Sequence, residues 1–221
     1  MEFHVAISPR VLGRVLIGFG LLYIVALGGM ALVFSANPPT DLIQQFDKDQ
    51  EIFQRYSRSF MLVILLGPSL VTMITAAVTA KWLQSGVQFW DILGLLFLFA
   101  YIPFQSIAYG SQFTILPHLL ASDVQSASQW YLHNPHSIAY AVDLLGYAIF
   151  GVAAIFLSVG MWRTFKGYGI FLFVCGLTSV VAYACVGFGL GALAGVLSLI
   201  SAGFTIPILI LSIQMGINLL K

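Results

Sequence analysis

Apolar residues fall in six long runs along this chain, and short polar or glycine-containing connections separate most of them. A helix needs ~20 residues to cross the ~30 Å hydrocarbon core of a bilayer, and the runs are of about that length. They are continuously apolar and lack the alternation typical of membrane β-barrel strands. We therefore predict six transmembrane helices, over residues 11–34, 60–80, 92–115, 138–162, 169–187 and 192–220.

The whole chain, residues 1–221, is predicted to be a single all-α transmembrane domain, a polytopic bundle of these six helices. Three of its connections are only about ten residues or fewer, which makes sequential neighbours antiparallel. The first run is longer than the apolar part of a secretory signal, and Phe34 fits poorly near a cleavage site. We therefore expect this run to be a retained helix.

Composition supports a membrane location. Hydrophobic residues make up 60% of the chain and charged residues 8%, whereas soluble domains carry about 25% charged residues. The formal net charge is +1, without a basic tail or patch, so nothing indicates nucleic acid as a partner. The bilayer itself is the first expected partner.

The connections predict an orientation, because cytoplasmic loops are enriched in Lys and Arg. With the N-terminus inside, the outer side has Lys48, Arg55 and Arg58, all in one connection that four acidic residues accompany. The inner side then has six basic residues, namely Arg10, Arg14, Lys81, Arg163, Lys166 and Lys221. We predict a multi-pass protein of the cell membrane with both termini cytoplasmic.

The connection between the first two predicted spans has an amphipathic pattern. After the Pro38–Pro39 break, apolar residues recur near helical spacing among charged ones. They are Leu42, Phe46, Phe53, Tyr56 and Phe60. The pattern predicts an amphipathic helix on the outer surface or capping the bundle.

Three glycines, Gly187, Gly191 and Gly195, recur at four-residue intervals around the link into the sixth span. Small residues at this spacing let two membrane helices approach closely. We expect a packing role for them.

Asp143 is the only charged residue well inside a predicted span. Tyr140 and Tyr147 lie three residues before and four after it, on the same helix face. This cluster predicts a site for a proton, a cation or a polar ligand. The alternative is a carboxyl group near the interface that bonds to tyrosines or caps a neighbouring helix.

The third predicted span has a polar stripe, formed by Tyr101, Gln105, Tyr109 and Gln112 at intervals of four, four and three. A stripe of this kind should face the interior of the bundle. Together with Asp143 it would line a cavity open toward the outer side. Hydrogen bonding between helices, without any cavity, explains the stripe equally well.

Three histidines, His118, His133 and His136, fall in the connection between the third and fourth predicted spans, with Asp123 between them. A gap of three residues can place His133 and His136 on one metal ion if the backbone turns suitably. The four residues are a candidate site for a transition metal such as zinc, copper or iron. Anchoring at the membrane interface and helix capping is the other interpretation.

The segment HSIAYAVDLLGYAIFGVAAIFLSVGMWRTFKGYGIFLFVCGLTSVVAY, residues 136–183, resembles one known family. A His–Ser pair opens a span, glycines and aromatics follow, and a short turn with an arginine leads to a second span. In these features it is similar to the bacterial six-span family called domain of unknown function 4386. The resemblance implies a six-span architecture and a prokaryotic source, and therefore a bacterial inner membrane as the location. It implies no particular activity.

Three functions follow from these residues. The first and preferred one is non-enzymatic: binding of a lipid or small molecule, or service as an accessory subunit of a membrane complex. The second is a metal-dependent membrane enzyme or redox protein that uses the outer histidines. The third is a small transporter or channel with Asp143 on its path.

Overall fold

The computed structural model describes residues 7–35 and 50–221, and within them the chain forms nine helices and no strand. The helices are α1 (Pro9–Ser35), α2 (Gln50–Val63), α3 (Leu66–Ser85), α4 (Phe89–Gly110), α5 (Ile115–Ser122), α6 (Val124–Ser128), α7 (Ile138–Met161), α8 (Lys166–Gly187) and α9 (Gly191–Leu220). The all-α prediction is confirmed for this part of the chain.

Six segments of the described chain are long and apolar enough to cross a membrane. They are Pro9–Val33, Phe53–Ser85, Phe89–Ser122, Ile138–Met161, Lys166–Gly187 and Gly191–Leu220. The number six agrees with the sequence prediction. The largest differences in boundaries concern the second and third segments, which extend by several residues beyond the predicted 60–80 and 92–115.

The second segment is longer because it includes most of α2. The α2 face formed by Phe53, Tyr56, Phe60 and Val63 is buried as α2 packs against α1 and α4. The amphipathic prediction therefore holds for residues 50–63, while Leu42 and Phe46 lie outside the described residues. A turn at residues 64–65 separates α2 from α3. Pro68 then falls in the first turn of α3, where a missing N–H costs no helical hydrogen bond.

The six long helices close into a bundle in which α1 packs on α9, α9 on α8, α8 on α7, and α7 on α4. Helix α3 is the most buried of the six, and it packs against α1, α4, α7 and α9. We call the two ends of the bundle the Lys81 end and the His133 end. The termini of α1 and α9 near Gly13 and Gly216 lie together at the Lys81 end.

Two pairs of glycines let helices touch through their backbones. A Cβ on Gly151 of α7 would lie 2.8 Å from the Gly176 carbonyl oxygen of α8, and one on Gly176 would lie 2.6 Å from the Gly151 oxygen. Gly13 of α1 and Gly216 of α9 form the second such pair. A Cβ on Gly13 would lie 2.8 Å from the Gly216 oxygen, and one on Gly216 would lie 2.9 Å from the Gly13 oxygen. No larger residue fits these crossings without a shift of backbone.

Gly187, Gly191 and Gly195 do not pack against any helix of the described chain. A Cβ on any of the three would meet no atom within 4 Å among the described residues, and all three are exposed. Spacing alone cannot tell which helix face meets a neighbour. Gly195 instead borders a cavity.

An ion pair that the sequence analysis missed lies at the Lys81 end. Lys81 Nζ is 2.6 Å from Asp91 Oδ2, and both side chains are fully buried. The same oxygen accepts hydrogen bonds from Trp82 Nε1 at 2.9 Å and from the Gln88 N–H at 3.0 Å. Asp143 is therefore not the only charged residue within the apolar segments, because Lys81 and Asp91 also belong to them.

Candidate functional site

A cavity of about 500 Å³ lies at the His133 end of the bundle. Its lining comes from α1, α2, α4, α7, α8 and α9 and from the connection that precedes α7. Four other clefts of 420–480 Å³ lie elsewhere on the described chain, and no acidic residue lines any of these four. The cavity at the His133 end is distinguished from them by Asp143.

Asp143 is the sixth residue of α7 and lines the cavity together with Tyr140 and Tyr147. Tyr109, on α4, lines the same cavity as Asp143. The Tyr109 and Tyr147 hydroxyl oxygens are 2.7 Å apart. Four of the seven residues proposed from the sequence as ligand-binding thus meet in one cavity.

Two further members of the predicted stripe lie on α4 but outside the cavity lining. The ring of Tyr101 is buried between those of Tyr147 and Phe150, at centroid distances of 6.4 and 5.3 Å. The amide of Gln105 is buried against Gly67 of α3, and neither of its polar atoms has a hydrogen-bond partner in the described chain. These two side chains contribute to packing between helices.

Gln112, the last member of the stripe, follows α4 and holds the connection that precedes α7. Its Nε2 donates to the Trp130 carbonyl at 2.8 Å and to the Ala108 carbonyl at 3.0 Å. Its Oε1 accepts from the Leu132 N–H at 3.1 Å and from the Tyr56 hydroxyl at 2.9 Å. These bonds fix residues 130–132 and thereby place His133 at the cavity.

His133 lines the cavity and contacts α2 through Tyr56. Its Nδ1 lies 3.2 Å from the Tyr56 hydroxyl oxygen. Since Tyr56 donates its proton to Gln112, Nδ1 must be the donor to Tyr56, which assigns the Nδ1–H tautomer. Burial lowers the pKa of His133, so the imidazole is neutral at pH 7.

The four residues suggested as metal ligands do not lie close together. Within residues 7–35 and 50–221, no three His, Cys, Asp or Glu side chains lie close enough to hold a metal ion. His118 and His136 are exposed. Asp123 caps α6 by accepting from the N–H groups of Gln125 and Ser126, and the hydrogen bonds from Ser126 lower its pKa. His133 alone of the four reaches the cavity.

Helices α8 and α9 supply polar groups that the sequence analysis did not single out. Ser201 of α9 lies 2.6 Å from the Ser179 hydroxyl and donates to the Cys175 carbonyl of α8 at 3.1 Å, and both serines line the cavity. Along the same helix, Thr205 accepts from Tyr23 of α1. The spacing of four between Ser201 and Thr205, inside an apolar run, was the available signal.

The lining of the cavity includes exposed residues of α8 and α9, so the cavity opens to the surface of the described chain beside them. Leu199 of α9 and Tyr183 of α8 line it, and they are 71% and 43% exposed. Both belong to segments that are apolar enough to span a membrane. In a bilayer, an opening at this position faces lipid.

Comparison with known proteins gave no match: no family model, no curated protein and no solved structure matches the chain. The resemblance of residues 136–183 to the six-span bacterial family therefore stays a prediction. What the site does must be inferred from its geometry.

Proposed function

We propose that this protein is a non-enzymatic membrane protein that binds a lipid or another small amphiphile in the cavity around Asp143. The observation that carries the proposal is the shape of the lining. Tyr109, Tyr140, Asp143 and Tyr147 of α4 and α7 line one part of the cavity, serines of α8 and α9 line another, and the apolar side chain of Leu199, also in the lining, is 71% exposed. A volume of about 500 Å³ is in the range of small-molecule sites.

The hydrogen bonds of the lining favour binding over catalysis. The Ser201 hydroxyl donates to the Cys175 carbonyl, and His133 is held by Tyr56. A nucleophilic serine would instead need to donate to a general base. These side chains therefore offer fixed polar contacts to a ligand.

We further propose that the protein lies in a bacterial cell membrane with both termini in the cytoplasm. Six of its basic residues belong to the Lys81 end: Arg10, Arg14, Lys81, Arg163, Lys166 and Lys221. Arg55 and Arg58 belong to the His133 end, and Lys48 lies outside the described residues. The excess of basic residues favours the Lys81 end as the cytoplasmic one. The cavity would then lie in the outer half of the bilayer.

Native mass spectrometry of the protein, extracted directly from membranes into lipid nanodiscs, tests the binding proposal. We expect one amphiphile to remain bound to the unaltered protein. Leu199→Trp should fill the opening of the cavity, so that the amphiphile is no longer bound. Leu193→Trp is the matched control, because Leu193 is also an exposed residue of α9 but does not line the cavity.

Equal retention of the amphiphile by Leu199→Trp and Leu193→Trp would contradict the proposed site. A protein subunit bound in a fixed ratio, with no amphiphile, would favour the accessory-subunit function instead.

A further inference from the structure

The charges at the cavity are not balanced. Asp143 is acidic, and none of the described residues that line the cavity is a lysine or an arginine. Two arginines are described at this end of the bundle. Arg55 lies 2.6 Å from Glu51 on the exposed face of α2, and Arg58 lines a separate cleft between α2 and α5.

Aromatic rings provide the second observation. Phe60, Tyr109, Tyr140 and Tyr147 line the same cavity as Asp143, from three different helices. A cation within about 6 Å of a ring centroid is attracted to the face of the ring, and more strongly where water is excluded. Several rings beside one carboxyl group are the arrangement that recognises alkylated ammonium groups.

The alternatives for the head group fit less well. An anionic head would lie beside the Asp143 carboxylate and be repelled by it. With an uncharged head, the buried Asp143 carboxyl group would have to take up a proton or remain ionised without a counter-charge, which is costly inside a membrane segment. His133 does not provide the counter-charge, since its imidazole is neutral at pH 7. An ammonium head avoids both costs.

We propose that the bound amphiphile has an ammonium head group, which lies between the Asp143 carboxylate and the aromatic rings of the cavity, and an alkyl chain that passes Leu199 into the bilayer. This inference rests on the proposed function, because it assigns the chemical class of the ligand of the same cavity.

Electron paramagnetic resonance with spin-labelled chains tests the head group. The protein is placed in bilayers of uncharged galactolipid, which contain no competing ammonium groups. Three nitroxide-labelled alkyl chains of equal length are titrated, ending in trimethylammonium, hydroxyl or sulfate. The immobilised fraction gives the association of each chain with the protein. Leu199→Trp separates binding in the cavity from contact with the outer surface of the bundle.

We expect the trimethylammonium chain to bind about tenfold more tightly than the hydroxyl chain, with the sulfate chain weakest. Asp143→Asn should reduce that preference to about twofold or less. Asp123→Asn, which removes an exposed carboxylate outside the cavity, should leave it unchanged. The ranking in the unaltered protein tests the inference even if Asp143→Asn does not fold.

Two failures are distinguishable. If the hydroxyl chain binds as tightly as the trimethylammonium chain, and Leu199→Trp still releases it, the ammonium inference is wrong and the proposed cavity stands. If no chain binds saturably, or Leu199→Trp changes nothing, the proposed function is wrong and the inference with it.

Discussion

At the scale of single residues, different members of the polar stripe fit different interpretations. The stripe was expected either to line a cavity or to form hydrogen bonds between helices. Tyr109 lines the cavity beside Asp143. Gln112 instead bonds to α2 and to the connection before α7, and it is buried. Tyr109 and Gln112 both follow the helical spacing of the stripe, so the sequence pattern does not distinguish them. What separates them is the α2 side chain Tyr56, which the fold brings to Gln112 from 56 residues away.

His133 makes the stability of the protein depend on pH. Its folded-state pKa is lowered by burial, whereas an unfolded histidine titrates at about 6.5. The unfolded state therefore takes up the proton first, so the contribution of His133 to stability is complete above about pH 6.5 and is lost as the pH falls through the folded-state pKa. Tyr56 and Tyr131, whose rings contact the imidazole, carry no charge in this range.

Thermal unfolding between pH 7.5 and pH 5 measures this effect. The midpoint of the unaltered protein should fall more steeply on acidification than that of His133→Gln. His136→Gln, at an exposed histidine of the same connection, should keep the steep dependence. If the unfolding midpoints of all three proteins changed with pH in the same way, His133 would not contribute to the pH dependence.

At the scale of helices, glycine positions decide which pairs come closest. Gly176→Ala would place a methyl group against the Gly151 carbonyl oxygen of α7, 2.6 Å from it without relaxation. We expect α7 and α8 to separate slightly and the free energy of unfolding to fall by about 1–3 kcal/mol. Reversible denaturation in mixed micelles measures it.

Gly203→Ala is the control for Gly176→Ala, since a Cβ at Gly203 of α9 meets no described atom within 4 Å. It should be neutral or slightly stabilising, because alanine favours a helix more than glycine does. Equal losses for the two variants would mean that the backbone contact is unimportant.

The antiparallel pair α3–α4 depends on the buried ion pair at its turn. Asp91→Ala would leave the Lys81 ammonium group buried, with the Gly86 carbonyl as its one remaining partner among the described residues. Breaking such a pair costs about 3–5 kcal/mol, and the loss should appear in the free energy of unfolding.

Replacing both partners, as in Lys81→Met with Asp91→Leu, should recover much of the loss caused by Asp91→Ala, because no charge then remains buried. Glu51→Ala breaks the exposed Glu51–Arg55 pair of α2 and should have no measurable effect. A similar loss in Glu51→Ala and Asp91→Ala would contradict the assignment.

At the scale of the whole molecule, local patterns predicted the six apolar segments well, since hydropathy acts within each run. The same holds for Asp143 and Tyr147, which are four residues apart on one helix. The sequence could not place Tyr56 near His133, nor Ser201 near Ser179, because these pairs are joined only by the packing of separate helices. The Lys81–Asp91 pair could have been predicted from the sequence, because a glycine between the two residues indicates a turn. Gly86 makes that turn, with a φ of 74°.

Orientation is the remaining property of the whole molecule that was predicted from charge. Single cysteines at Gln84→Cys and Gln125→Cys, in a background lacking Cys175 and Cys185, report on the Lys81 end and the His133 end. A membrane-impermeant maleimide should label position 125 on intact cells and position 84 only after permeabilisation. Reversed labelling would contradict the proposed orientation.

The packing of α1 on α9 has a consequence for biosynthesis. A ribosome delivers α1 to the membrane before α9, so the crossing at Gly13 and Gly216 is unavailable until α9 has been translated. Until then α1 can pack against α2 and α3, its other main neighbours in the described chain. During this time the cavity also lacks the part of its lining that α9 supplies, including Leu199. A chain that stalls before α9 therefore lacks the α9 part of the lining that surrounds Asp143.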